Sequence, residues 1–256
     1  MSSFINKQVQ ENIAYLQLNR GKSNAMHQEA IQELAEEFLT LESDPNIHAV
    51  ILMGKEGFFS SGLDLITLFE YDQAQIKTFW ENFIGFVHQL VRFPKPLICA
   101  ITGHSPAGGC VLALCADYRI MAQGDYIIGL NEVPVGIVVP SSIAQLYGFW
   151  IGMGNASRFL LEGKLLKPEE AESVGLVDQV VSFDKIQTAA TRKAKAYMQF
   201  DQNAWQSSKL NIRSNLLDAI AQTKGPVIEQ VLQQWWAPST RAILRTIIES
   251  LTSKKA

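Results

Sequence analysis

The chain has 256 residues, 47% of them hydrophobic and 18% charged, with a formal net charge of −3. That length and apolar share support one large domain, or a domain with an appendage, and exclude global disorder. No Lys/Arg-rich run occurs apart from the Lys254-Lys255 end, so nucleic acid is not an expected partner. Nor is a membrane, because no apolar run approaches the roughly 18 residues of a spanning helix.

In chain order, the polar Met1–Gln10 stretch carries no signal or transit pattern. Strands are predicted at Ile13–Leu18, Ala49–Met53, Pro96–Thr102 and Leu176–Val181. Between the first two, Ile31, Leu34, Phe38 and Leu41 recur at helical spacing. Ile76, Phe79, Phe83, Val87 and Leu90 do the same before the third strand. A small-residue helix is expected over Gly108–Ala116. Another should start at Pro168, with Glu169 and Glu170 in its first turn. Strands mixed with helices to about Val181 indicate an α/β core, and the pattern from about Asp184 to Leu251 is nearly all helical. Pro226 and Ala237-Pro238 break that helical part, and its Trp205, Trp235 and Trp236 need a surface to cover, in the core or on another subunit.

Cys99, Cys110 and Cys115 lie in apolar context, and their odd number and spacing fit neither a disulfide framework nor a zinc site. They read as buried thiols of a reducing compartment, so a cytoplasmic location is expected. The histidines, His27, His48, His88 and His104, are scattered without ligand spacing, so no metal is expected. No glycine-rich phosphate loop is present.

Three segments carry candidate chemistry. In Ile101–Val111 a strand-like run ends in a Pro/Gly turn that opens a helix. Freed N–H groups at such a start point outward, and Gly108 and Gly109 let a ligand oxygen approach the backbone. Gly103-His104-Ser105-Pro106-Ala107 nearly matches a nucleophile elbow, but no histidine follows Ser105. A serine hydrolase is thereby disfavoured. Gly57–Leu65 is a second strand-to-helix turn, with Asp64 a natural N-cap. In Tyr126–Ile137, Glu132 is the sole acid among apolar, Gly and Pro residues. It either faces the surface at a turn or is buried with a raised pKa.

In this order and spacing, Phe59–Leu65, Gly103–Asp117 and Glu162–Asp178 make the chain resemble the crotonase (enoyl-CoA hydratase/isomerase) family over nearly its whole length. The resemblance implies a core of repeated ββα units over residues 1–195 and a C-terminal helical trimerisation region over 196–256. It implies an acyl-CoA substrate with no separate cofactor, and a homotrimer or dimer of trimers. It assigns the oxyanion hole to the N–H groups of Leu63 and Gly108, and the catalytic role to Glu132. Ser61, Gly62, Asp64 and Leu65, with Ser23, Ala25 and Met26, would line the CoA side, Asn131 would neighbour the acyl chain, and Val111 would also belong to the substrate site.

Val111 departs from the family's hydratases, which carry a second glutamate there. Valine can neither accept nor donate a proton, which counts against hydration. Moving a double bond needs one base only. Gly129-Leu130-Asn131-Glu132, with Pro106–Cys110 upstream, resembles the family's 3,2-enoyl-CoA isomerases more than its hydratases. The expected activity is therefore conversion of 3-enoyl-CoA to trans-2-enoyl-CoA. An enoyl-CoA hydratase or another crotonase-type acyl-CoA enzyme, a hydrolase included, and a non-catalytic acyl-CoA-binding scaffold remain the alternatives.

Overall fold

Short apolar runs without polar alternation suit parallel strands covered on both faces, and the chain uses them so. The computed structural model describes residues 3–253. Its strands are β1 (Ile5–Gln10), β2 (Ile13–Leu18), β3 (Ala49–Met53), β4 (Gly57–Phe58), β5 (Leu97–Ile101), β6 (Gly103–Pro106), β7 (Tyr118–Ala122), β8 (Ile128–Gly129) and β9 (Gln179–Val181). Six form one sheet in the order β1-β2-β3-β5-β7-β9, and three short ones form a second in the order β4-β6-β8. Among the described strand pairs, β1–β2 is antiparallel and the others are parallel.

The helices are α1 (Gln28–Ser43), α2 (Leu65–Phe69), α3 (Gln73–Arg92), α4 (Gly108–Leu114), α5 (Ser141–Ile151), α6 (Met153–Glu162), α7 (Pro168–Ser173), α8 (Ile186–Met198), α9 (Gln202–Ile212), α10 (Ser214–Ala221), α11 (Pro226–Trp235) and α12 (Pro238–Ser253). Alternation along β3 and β5 sorts the core into two layers. Val50, Leu52, Leu97, Cys99 and Ile101 join the large cluster beneath α1, α3 and α4. Ala49, Ile51, Met53, Ile98 and Ala100 face α8 through Ile186, Ala189, Ala190 and Ala194. The 195/196 boundary falls inside α8.

Two expectations need correction. Leu176–Asp178 is a turn, and only Gln179–Val181 pairs as a strand; Arg119 Nε donates to the Leu176 carbonyl at 2.9 Å, which takes that acceptor out of any ladder. Gly103–Pro106 is a strand rather than a turn. Pairing of Gly57 with Gly103 and of Pro106 with Gly129 imposes it. That small sheet draws the turns after β4, β6 and β8 to one place.

The three cysteines are buried and unpaired. Trp235 is buried, while Trp236 and Trp205 are half-buried. Among the described residues no group of three His, Cys, Asp or Glu side chains could hold a metal ion. No helix among them is long and apolar enough to cross a membrane. Lys254-Lys255 lies outside the described residues.

Candidate active site

The Ser60–Leu63 turn is shaped from both sides. Ser60 Oγ donates to the Asn24 carbonyl at 2.8 Å and accepts from the Gly62 N–H at 3.1 Å. Ser61 N–H donates to the Ser23 carbonyl at 2.8 Å. Met26 then flanks Leu63 as a parallel bridge: Met26 N–H reaches Gly62 O, and Asp64 N–H reaches Met26 O, each at 2.8 Å. A residue flanked this way directs its own N–H to the opposite side. Among the described residues the Leu63 N–H has no acceptor.

The facing turn contains Ala107 at φ 49°, a left-handed conformation that costs a non-glycine residue energy. It is held by Ala107 N–H to Gly129 O at 2.8 Å and by Val111 N–H to Ala107 O at 3.0 Å. The following residue, Gly108, opens α4, and among the described residues its N–H has no acceptor. The two turns nearly touch: a Cβ on Gly62, itself at φ +88°, would lie 2.9 Å from Gly108 N. The two residues that carry these free N–H groups, Leu63 and Gly108, line one cavity. Ser105 stays out of that cavity, fully buried in β6 with its Oγ unpartnered, so it is no nucleophile.

The cavity has a volume of about 170 Å³, and its lining includes Ser61, Leu63, Leu65, Gly108, Val111, Asn131 and Glu132. The other expected residues, Ser23, Ala25, Met26, Gly62 and Asp64, are not among those lining it. Ser23 and Met26 brace the Ser61–Leu63 backbone as described. Asp64 caps α2 through Thr67 N–H at 3.1 Å and pairs with Arg20 at 2.6 Å. Burial works against its charge, but the Thr67 bonds and Arg20 hold its pKa below the ordinary value. Arg20 also donates to the Ala25 carbonyl at 2.8 Å, tying the 20–26 segment to this turn.

Glu132 is the one ionisable group among the lining residues. Its loop is wound tightly, with Val135 and Ile137 N–H groups donating to the Glu132 carbonyl at 3.1 and 3.0 Å. Burial pushes its carboxyl up to about 7, although the Asn131 and Glu132 N–H groups favour the charge. Oε2 is buried and has no partner among the described residues. Val111 faces the same space at 1% exposure.

The remaining wall is apolar: Trp80 and Phe83 from α3, Ile143 from α5, and Ile247 from α12. Sequence reasoning placed Phe83 on a helix but assigned no site role to any of these. Ile247 brings the last helix into the wall of this cavity. It is fastened there by Arg241, which stacks 3.4 Å from the Phe69 ring centroid and donates to the Phe69 carbonyl at 2.9 Å.

A cradle of two backbone donors beside one desolvated carboxylate, on paired ββα units, belongs to a known class. Residues 8–233 match the family described as enoyl-CoA hydratase/isomerase, and the chain belongs to that family, the crotonases. It is 34% identical over 245 residues to mouse mitochondrial enoyl-CoA delta isomerase 1, covering 95% of this chain and 85% of the relative. The human counterpart is 31% identical over 245 residues, covering 95% and 81%. The crystal structure of human mitochondrial delta3-delta2-enoyl-CoA isomerase superposes with a TM-score of 0.95 at 29% identity, covering 99% of this chain and 100% of that one.

These relatives overturn the expected cytoplasmic location, because the mouse, rat and human proteins are all mitochondrial. Buried free thiols mark a reducing interior and do not separate the cytosol from an organelle.

Proposed function

We propose that the chain is a 3,2-enoyl-CoA isomerase of fatty-acid β-oxidation, working with Glu132 as its sole acid–base group. The observation that carries this reading is that Glu132 and Val111 line one apolar cavity in which Glu132 is the one ionisable group. Hydration would require a water to be held and deprotonated while a second group protonates the neighbouring carbon. Val111 can do neither.

In a 3-enoyl thioester the C2 protons are acidified by both the carbonyl and the double bond. The Glu132 carboxylate removes one of them, and the electron pair delocalises over a dienolate whose charge rests on the thioester oxygen. The Leu63 and Gly108 N–H groups stabilise that oxygen, each worth roughly 10²–10³ in rate by analogy with other oxyanion holes. The protonated Glu132 then returns the proton at C4, leaving the double bond between C2 and C3. A pKa near 7 suits a group that must accept and then donate.

Asn131 and the wall from Trp80, Phe83 and Ile143 enclose the acyl chain. Ser61 and Leu65, backed by Ser23, Ala25 and Met26 and by Gly62 and Asp64, form the CoA side. Coenzyme A enters as part of the substrate and no other cofactor is needed. The working unit is a homotrimer or a dimer of trimers.

The test is a product-resolved assay of trans-3-hexenoyl-CoA and crotonyl-CoA with wild type and Glu132→Gln. Conversion of the first to the 2-enoyl isomer, abolished in the variant, with negligible hydration of the second, is the expected result. Efficient 3-hydroxyacyl-CoA formation or release of free CoA would overturn it, as would inertness toward both thioesters.

A further inference from the structure

The bonds inside the Glu132 turn fix its shape but not its place. Val135 and Ile137 N–H groups return to the Glu132 carbonyl, and the Gly136 N–H returns to that of Val133 at 3.0 Å. Upstream the segment is anchored at β8, where Gly129 pairs with Pro106. Its far end, Gly136, meets α12.

Thr240, in the first turn of α12, is fully buried. A threonine hydroxyl at such a position ordinarily bonds the backbone of its own helix. Here Oγ1 donates to the Gly136 carbonyl, 104 residues away in sequence, at 2.8 Å. It also accepts from Gln234 Nε2 on α11 at 2.8 Å. Among the described residues no backbone N–H donates to the Gly136 carbonyl, so this hydroxyl is its partner. The approach is close: Gly136 sits at φ +78°, and a Cβ there would lie 3.0 Å from Thr240 Oγ1.

The next residue grips the other half of the site. Arg241 holds Phe69, the last residue of α2, and α2 begins two residues after the Leu63 donor. Adjacent residues of α12 thus hold the turn that carries the base and the helix that follows the oxyanion turn.

We propose that Thr240 is a positioning residue whose hydroxyl, oriented by Gln234, sets where the Glu132 turn sits relative to the Leu63 and Gly108 N–H groups. Neither Thr240 nor Gln234 lines the cavity, so the effect passes through the Gly136 backbone. The isomerase reading carries the kinetic part of this inference, and the anchoring of the turn does not depend on it.

The experiment measures kcat and KM for trans-3-hexenoyl-CoA, with amide hydrogen exchange over residues 131–138, in wild type, Thr240→Val and Thr240→Ser. Valine keeps the shape and removes the donor, and serine keeps the donor. Thr240→Val is expected to lower kcat about tenfold, within the loss of about a hundredfold that a 1 Å misplacement can cause. It should leave KM unchanged and speed exchange across the turn, and Thr240→Ser should restore both. Gln234→Leu, which frees the hydroxyl to rotate, should lower kcat in the same direction by a smaller factor, and keeps the test open should the valine variant fold poorly. Full kcat in Thr240→Val and Gln234→Leu overturns the proposal, and so does an equal loss in Thr240→Val and Thr240→Ser. A wild type inert toward the thioester would overturn the isomerase reading alone, while the exchange contrast between valine and serine would still decide the anchoring.

Discussion

Keeping Glu132 inside an apolar cavity costs folding free energy that the chain could recover by discarding the charge. Its pKa lies near 7 in the folded state because of burial, above that of an unfolded glutamate. The folded state therefore holds its proton more tightly, and stability is lost as pH rises through the interval from about 4.3 to 7. Above about 7 the full cost applies, and below about 4.3 there is none. Glu132→Gln is accordingly expected to be more stable than wild type at pH 8 by about 3 kcal/mol, with the gap closing toward pH 4. Urea unfolding at several pH values measures this, and a gap independent of pH would refute the buried charge. The same variant should lose on the order of 10²–10⁴ in isomerase rate. In wild type the base must be ionised, so kcat/KM is expected to fall tenfold per pH unit below about 7 and to level off above it. A profile flat from pH 5 to 8 would remove Glu132 from the base role.

The two backbone donors are placed by elements, and their spacing depends on how closely two turns can approach. Gly109, in the first turn of α4, meets the Ser60 carbonyl so closely that a Cβ there would lie 2.2 Å from the oxygen and 3.2 Å from Ser105 Oγ. Backbone cannot give way as a flexible side chain does, so Gly109→Ala must push the Ser60–Leu63 turn away from Gly108. The expected result is a loss of about 1–3 kcal/mol in stability and, with one donor misplaced, of roughly 10²–10³ in kcat. Gly85→Ala, in the open face of α3 with nothing within 4 Å, is the control and should stabilise by about 1 kcal/mol. Equal effects of the two alanines would refute the steric argument.

This packing also explains what could be read in the sequence. β2, β3 and the periodic stripes of α1 and α3 were legible because burial on both faces or on one stripe writes itself as unbroken or 3.6-periodic apolar residues. Glu132 and Val111 stood out against their neighbours by chemical type. β1 was missed because five of its six residues are exposed, and an edge strand shows no apolar run. β6 was missed because Gly103-His104-Ser105-Pro106 has little intrinsic strand preference and is extended by its partners in the small sheet. Trp80 looked like any core residue of its helix, since a cavity wall and a core face carry the same side chains.

At the scale of the molecule, the helices that build the site are held at their far ends by the C-terminal region. Lys209 and Arg213 from α9 and its C-cap are buried with Asp117, at 2.8 and 2.9 Å. Lys209 also donates to the Phe93 carbonyl at 2.7 Å, and Arg213 to those of Val91 and Ala116, each at 3.0 Å, and of Cys115 at 3.2 Å. Those carbonyls end α3 and α4, where cations complement the unpaired acceptors and the negative end of the helix dipole. Asp117 closes the cluster by accepting from the Leu97 N–H at 2.8 Å, at the start of β5. Removing its charge leaves two buried cations facing one another, and such uncompensated burial costs about 3–5 kcal/mol. Asp117→Asn is therefore expected to lower Tm by roughly 10 °C while leaving kcat near wild type at low temperature, since no member of the cluster lines the cavity. Calorimetry and isomerase assays on the same preparation separate the two effects. A variant that keeps its Tm would show that the cluster does not fasten the C-terminal helices, and one that loses kcat at full folding would make it part of the active site.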